Sequence, residues 1–246
     1  MQLHIYKDAD EVCKALAEWI VQLINKTLEV KEKFTWALSG GETPKKLYSL
    51  LASDQYSSKI NWNRVHIFWG DERVVPFNDE RGNARMAFDN LLDHVNIPSA
   101  QIHKIWTDVP PEESAKHYEK LLHQYFAGKQ TTFDLALLGM GDDGHTLSLF
   151  PGSELIYDDK SWVKADYTEQ KGMKRVTLMP SIINKSAAVV FLVTGENKST
   201  VLKEVIENKD LRKYPAQHIE PANNELHWFL DYAAAKYLNN SIMIDQ

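Results

Sequence analysis

FDLALLGMGDDGH (133–145) is the stretch on which the fold turns. Phe133 to Leu138 has the length and apolar density of a strand, and it stops where three glycines fall within six residues. The same unit recurs along the chain. FTWAL (34–38) runs into Ser39-Gly40-Gly41-Glu42, VHIFW (65–69) into Gly70-Asp71-Glu72-Arg73, and AAVVFLV (187–193) into Thr194-Gly195. These runs are continuous rather than alternating, which marks strands covered on both faces. With helices between them, the expectation is an α/β fold: a mainly parallel, Rossmann-like sheet with helices on both faces, in a single domain over 1–246. Ligands bind such sheets beyond the carboxyl ends of the strands. Polar and glycine-rich residues gather there, after Leu38, Trp69, Leu138 and Val193.

Helix signals fill the intervals. Val12, Leu16, Trp19, Leu23 and Leu28, with Ile20 and Ile24 beside them, recur at helical steps, behind a capping-box pattern of Asp8 with Glu11. Thr43 and Pro44 read as N-cap and first residue of a helix through Leu47, Leu50 and Leu51. Ala84 to Leu92 is helix-like, and Pro110-Pro111 opens another helix that Gly128 closes. Val176 to Leu178 adds strand, Val201 to Ile206 helix, Leu226 to Leu230 strand, and an Ala-rich helix is expected near Asp231 to Leu238.

The 246 residues are 43% hydrophobic and 25% charged, the balance of a globular chain, with a formal net charge of −6. That charge argues against nucleic-acid and anionic-membrane partners while leaving room for a local basic pocket. No apolar run approaches the ~20 residues of a membrane span, and no targeting segment follows the charged opening MQLHIYKDAD. The expectation is a cytoplasmic protein, monomer or small homo-oligomer. Cys13 stands alone, beside the first helical stripe, and reads as a buried, inert thiol. No ligand spacing of the HExxH kind occurs, so neither metal nor cofactor is expected.

Three loops carry chemistry. Ser39-Gly40-Gly41, with Thr43, joins a strand to a helix start, where free N–H groups and the dipole favour an anion; a double glycine alone equally suits an ordinary βα turn. Asp71-Glu72-Arg73 ends a strand with a guanidinium, the natural fork for phosphate; the same triplet elsewhere is commonly a surface ion cluster. In Gly139 to Thr146, Gly141 and Gly144 free the backbone, and Asp143 stands two residues before His145. An oriented imidazole is the usual general base for activating water. Lys198 follows a strand through a glycine turn and points to the same rim; Arg175 is a further cation whose placement does not follow from the pattern.

Together SGGETP (39–44), WGDERVVP (69–76), LGMGDDGHTLSLFPG (138–152), RVTL (175–178), FLVTGENK (191–198) and WFLDYAAA (228–235) resemble the 6-phosphogluconolactonase family, within the glucosamine/galactosamine-6-phosphate isomerase superfamily. Related deaminases typically continue the Gly-x-Asp-Gly-His loop into Ala-Phe-Asn-Glu-Pro and carry Asp-Glu-Tyr at the second strand. Ser148 to Gly152 and Asp71-Glu72-Arg73 favour the lactonase. Two positions depart from the family: Gly82-Asn83 stands for Ser-Asn, and Pro215-Ala216-Gln217 for Pro-Ala-Ser.

The resemblance implies hydrolysis of 6-phospho-D-glucono-1,5-lactone to 6-phosphogluconate in the oxidative pentose phosphate pathway. It implies Asp143 orienting His145 as general base, and substrate contacts from Ser39, Gly40, Gly41, Thr43, Asp71, Arg73, Gly141, Gly144, Arg175 and Lys198. Arg73, Lys198 and Arg175 would hold the phosphate, and N–H groups around Gly40 and Gly41 the oxyanion. The alternatives are an amino-sugar-phosphate deaminase or isomerase, and a non-catalytic sugar-phosphate sensor.

Overall fold

The computed structural model describes residues 1–168, 172–208, 210–211 and 213–239. Its strands are β1 (Gln2–Tyr6), β2 (Phe34–Leu38), β3 (Val65–Trp69), β4 (Asp71–Arg73), β5 (Leu135–Leu138), β6 (Val163–Thr168), β7 (Met173–Leu178), β8 (Val189–Val193) and β9 (Leu226–Asp231). The helices are α1 (Ala9–Val30), α2 (Glu42–Ala52), the single turn α3 (Asp54–Ser57), α4 (Asn83–Asn90), α5 (Pro111–Phe126), the single turn α6 (Pro180–Ile183) and α7 (Ser199–Glu207). Six strands lie parallel in one sheet, in the order β1-β9-β8-β5-β2-β3. Every residue of β2, β5 and β8 is buried, which requires cover on both faces and explains their continuous apolar sequences. Trp36, Phe34, Phe68, Phe133, Phe191 and Phe229 fill the core around them.

The N-terminal stripe folds as read. Asp8 accepts the backbone N–H groups of Asp10 and Glu11 at 3.1 Å, and α1 buries Val12, Leu16, Ile20, Ile24 and Leu28. Cys13 is buried on the same face, and burial pushes its thiol up to about 11, far from a reactive thiolate.

Four features differ from the sequence reading. β1 was not expected; it pairs with β9 along the whole length of both, so its register comes from residues more than 220 positions away. The sheet is not the only one: β4, β7 and β6 form a separate antiparallel sheet, in which the expected strand at Val176 to Leu178 sits. Helix α2 begins at Glu42 with Gly41 as its N-cap, and no side chain caps it. Thr43 is inside the helix, where its hydroxyl bonds that of Thr194 at 2.8 Å instead of capping. The Ala-rich segment after Leu230 is a series of turns, not a helix. Asp231 sets them: its carboxylate takes the N–H of Ala234 at 2.7 Å and that of Gly195 from another loop. A local side-chain acceptor and burial of Ala234, Ala235 and Leu238 outweigh alanine's weak helical preference. Among the described residues no helix is long and apolar enough to cross a membrane.

Candidate active site

Parallel pairing sets the carboxyl ends of β8, β5, β2 and β3 along one rim. Leu38 is in register with Trp69, and the Gly70 N–H extends that ladder by donating to the Leu38 carbonyl at 2.9 Å. Where the ladder runs out, two buried tyrosines replace it. The Tyr48 hydroxyl, from α2, accepts the Ser39 N–H at 3.0 Å and donates to the Ser39 carbonyl at 2.8 Å. The Tyr118 hydroxyl, from α5, does the same at Trp69, at 2.8 and 3.1 Å. Both loop starts are thereby fixed without leaving buried backbone groups unpaired.

After β5, the glycine loop folds back on itself, with the Gly141 N–H donating to the His145 carbonyl at 2.9 Å. Asp143 then meets His145 twice: one carboxylate oxygen accepts the backbone N–H at 3.0 Å and lies 2.5 Å from Nδ1. A carboxylate only accepts, so Nδ1 carries the proton and Nε2 is the nitrogen able to take one. Burial pushes the Asp143 carboxyl up, but the two hydrogen bonds from His145 outweigh it and hold it at about 2, ionised near neutrality. Phe150 stacks on the imidazole at 4.5 Å between centroids, and the Arg175 guanidinium lies 5.5 Å from the centre of the Phe150 ring. Between them Leu147 takes φ +55°, a left-handed turn costing about 1–2 kcal/mol, and so delivers Ser148 beneath β4.

The second sheet supplies the cations. Antiparallel pairing of β4 with β7 places Arg73 directly opposite Arg175. Like charges in that position repel. Buried Asp71, two residues along β4, compensates: it lies 3.7 Å from Arg175 and accepts the Ser148 hydroxyl at 2.6 Å, and Ser148 Oγ in turn accepts from Arg175 at 3.3 Å. Glu72 faces the other way. Its carboxylate accepts the N–H groups of Asn83 and Ala84 at 2.6 Å and of Arg73 at 2.7 Å, capping α4 from a distance where Gly82 has no side chain to do so.

On the opposite wall, α2 starts without a side-chain cap, its first intrahelical bond running from Lys45 N–H to the Gly41 carbonyl. The N–H groups ahead of that bond are the donors an anion would meet. Lys198 stands just before α7. Burial lowers its ammonium pKa, opposed by the fields of Asp142 and Asp231.

These walls enclose a cleft of about 370 Å³ lined by Ser39, Gly40, Gly41, Thr43, Asp71, Arg73, Gly141, His145, Arg175 and Lys198. Of the residues expected from sequence, Asp143 and Gly144 stand off the lining. Asp143 braces His145, and Gly144 is packed against Tyr214 and Val201 on the far side of the loop. The cleft also takes in Asn83, Leu147 and Phe150, which sequence reasoning did not single out. Phe150 follows His145 within the central motif, so proximity was its available signal; Asn83 had none beyond its motif position. Two other clefts are larger, at about 520 and 710 Å³, along α5 and outside the Arg73 loop, but neither contains His145 or the Ser39-Gly40-Gly41 loop.

Known proteins resemble this chain in sequence and in fold. The family model for glucosamine-6-phosphate isomerases/6-phosphogluconolactonase matches residues 7–228. A 6-phosphogluconolactonase of Synechocystis is 40% identical over 220 residues, covering 87% of this chain and 89% of its own. That of Homo sapiens is 33% identical over 243 residues, covering 96% and 93%. The solved structure of 6-phosphogluconolactonase from Trypanosoma brucei superposes with a TM-score of 0.86 at 27% identity, over 97% of this chain and 98% of that one.

Proposed function

The chain belongs to the glucosamine-6-phosphate isomerase/6-phosphogluconolactonase family, and on that premise we propose that it is a 6-phosphogluconolactonase, a hydrolase that opens 6-phospho-D-glucono-1,5-lactone to 6-phosphogluconate in the pentose phosphate pathway. The observation that carries the reading is the Asp143–His145 pair at the foot of a cleft whose other walls are cationic and rich in N–H donors.

In this reaction His145 Nε2 takes a proton from water as the oxygen attacks the lactone carbonyl carbon. Asp143 keeps the donor tautomer in place and stabilises the imidazolium that forms. The negative charge on the carbonyl oxygen is met by N–H groups around Gly40 and Gly41. As the ring C–O bond breaks, the imidazolium returns its proton to the departing ring oxygen. The product is the open carboxylic acid, which ionises. Arg73 and Lys198 grip the phosphate, with Arg175 adding positive potential from the second sheet, and this remote binding positions the reacting carbon. No covalent intermediate is required. The enzyme works in the cytoplasm on a free sugar-phosphate lactone.

A coupled assay settles the class of reaction. Purified protein should accelerate 6-phosphogluconate formation above spontaneous lactone hydrolysis and release no ammonia from glucosamine 6-phosphate. Ammonia release without lactone hydrolysis would make it a deaminase; activity in neither assay would leave a binding protein.

A further inference from the structure

Asp231 closes β9 and is 7% exposed. The register that sets Val193 beside Leu230 brings the ends of β8 and β9 together, so this carboxylate reaches the loop that carries Lys198. Oδ1 accepts the Ala234 N–H at 2.7 Å and the Gly195 N–H at 3.0 Å, while Oδ2 lies 3.1 Å from the same Gly195 nitrogen. Gly195 takes φ +99°, and its carbonyl accepts the Lys198 N–H at 3.2 Å. The residue that starts the turn into Lys198 is thus held at its N–H by Asp231 and holds Lys198 at its carbonyl. A second tie runs between the same two segments: Lys236, from the turns after β9, pairs with Glu196, between Gly195 and Lys198. The turn at Ala234 needs only one oxygen, which a serine or an asparagine would supply. A carboxylate buried for that purpose alone would be costly.

We infer that Asp231 is a positioning residue for Lys198, holding its ammonium ready for the substrate phosphate of the lactonase proposed above, on which this inference rests. Two effects act together. The clamp on Gly195 fixes the backbone from which a long side chain extends, so less freedom is lost when the phosphate binds. The negative field of Asp231 supports the ammonium against the burial that lowers its pKa, and exposed Asp142, on the loop of His145, adds to that field. Asp231 itself stands outside the cleft lining, so its contribution passes through the Lys198 loop. A phosphate grip remote from the lactone carbonyl works by placement, and small displacements of such a grip cost rate.

The test compares kcat/KM for 6-phosphogluconolactone and for unphosphorylated gluconolactone on the whole chain, after subtracting spontaneous hydrolysis. Asp231→Asn keeps one oxygen for the two N–H groups, but it removes the charge and sets an amide nitrogen against Gly195. It should lower kcat/KM for the phosphorylated lactone roughly 3–10-fold, the worth of one hydrogen bond, chiefly by raising KM. Gluconolactone hydrolysis should stay within about twofold of wild type, since it has no phosphate to lose. In a Lys198→Ala background, Asp231→Asn should add no more than about twofold, because its effect passes through the missing ammonium. Should Asp231→Asn fail to fold, Asp231→Ser carries the same comparisons, since a hydroxyl can still accept the Ala234 N–H but is too short for Gly195. Unchanged rates, equal losses on both lactones, or an undiminished loss in the Lys198→Ala background would overturn the assignment and leave Asp231 as a brace for the turns after β9. A wild-type protein that hydrolyses neither lactone would instead remove the lactonase reading itself.

Discussion

The Asp143 carboxylate holds His145 at two points, 2.5 Å from Nδ1 and 3.0 Å from the backbone N–H of the same residue. One carboxylate thus fixes both where the imidazole is and which of its nitrogens is free. His145→Ala should leave the fold intact and slow hydrolysis roughly 10²–10⁴-fold, the usual worth of a general base. Asp143→Asn should lose much of that as well, because an amide can donate to Nδ1 and so favour the wrong tautomer. Rates are measured after subtracting spontaneous hydrolysis; near-wild-type turnover of His145→Ala removes His145 from the mechanism.

Arg73 separates phosphate recognition from chemistry. Its Nη1 donates to the Arg81 carbonyl at 2.6 Å, which anchors the side chain at the cleft wall. Charge-assisted bonds are worth about 1.5–3 kcal/mol each. Arg73→Ala should therefore lower kcat/KM roughly 10–10³-fold for the phosphorylated lactone and barely change it for unphosphorylated gluconolactone. Arg73→Lys should also be harmful, since an ammonium lacks the planar fork. An equal loss on both lactones means that Arg73 acts at the carbonyl or holds the loop.

Gly40 and Gly41 should fail in different ways. Gly41 caps α2 at φ +111°, with nothing closer than Pro44 Cδ at 3.8 Å to a Cβ placed there, so Gly41→Val is strained by backbone conformation and not by crowding. Gly41→Val should lower activity more than it lowers Tm in a thermal scan. Gly40→Ala instead displaces the Asn83 amide and should cost both. A Gly41→Val chain that loses its thermal transition first shows the loop to be structural.

Glu72 gives a pH signature of known sign. Burial pushes its carboxyl up to about 7, against the N–H groups of Ala84, Asn83 and Arg73 that pull it down. The native chain then keeps a proton that the unfolded chain loses from about 4.5 upward. This contribution to stability is complete below about 4.5 and is lost as pH rises through about 7, with a slope approaching ~1.4 kcal/mol per pH unit. The lowered histidines His4, His66, His103 and His227 act in the opposite sense. The difference between wild type and Glu72→Gln in denaturant unfolding isolates Glu72: it should slope between pH 4.5 and 7 and flatten above. Parallel curves across that window would falsify the shift.

Much of this protein was written locally. Continuous apolar runs ending at glycines are properties of a few adjacent residues, and they fixed the parallel sheet, its buried faces and the rim on which the cleft lies. Asp143 and His145 are two positions apart, so their contact needed little beyond the loop itself. What had no local signal depended on strands meeting across long separations. β1 is a strand because β9 lies beside it, and the alanines after Leu230 form turns because Asp231 and their burial outweigh helix preference. Arg175 reaches the cleft because β7 pairs with β4 in a register that sets it opposite Arg73, a hundred residues earlier. Asp231 reaches the Gly195 N–H, 36 residues earlier, because β8 and β9 lie side by side. Hydrophobic periodicity is carried by the chain, whereas register and hydrogen-bond satisfaction exist only between parts of the chain that folding has brought together.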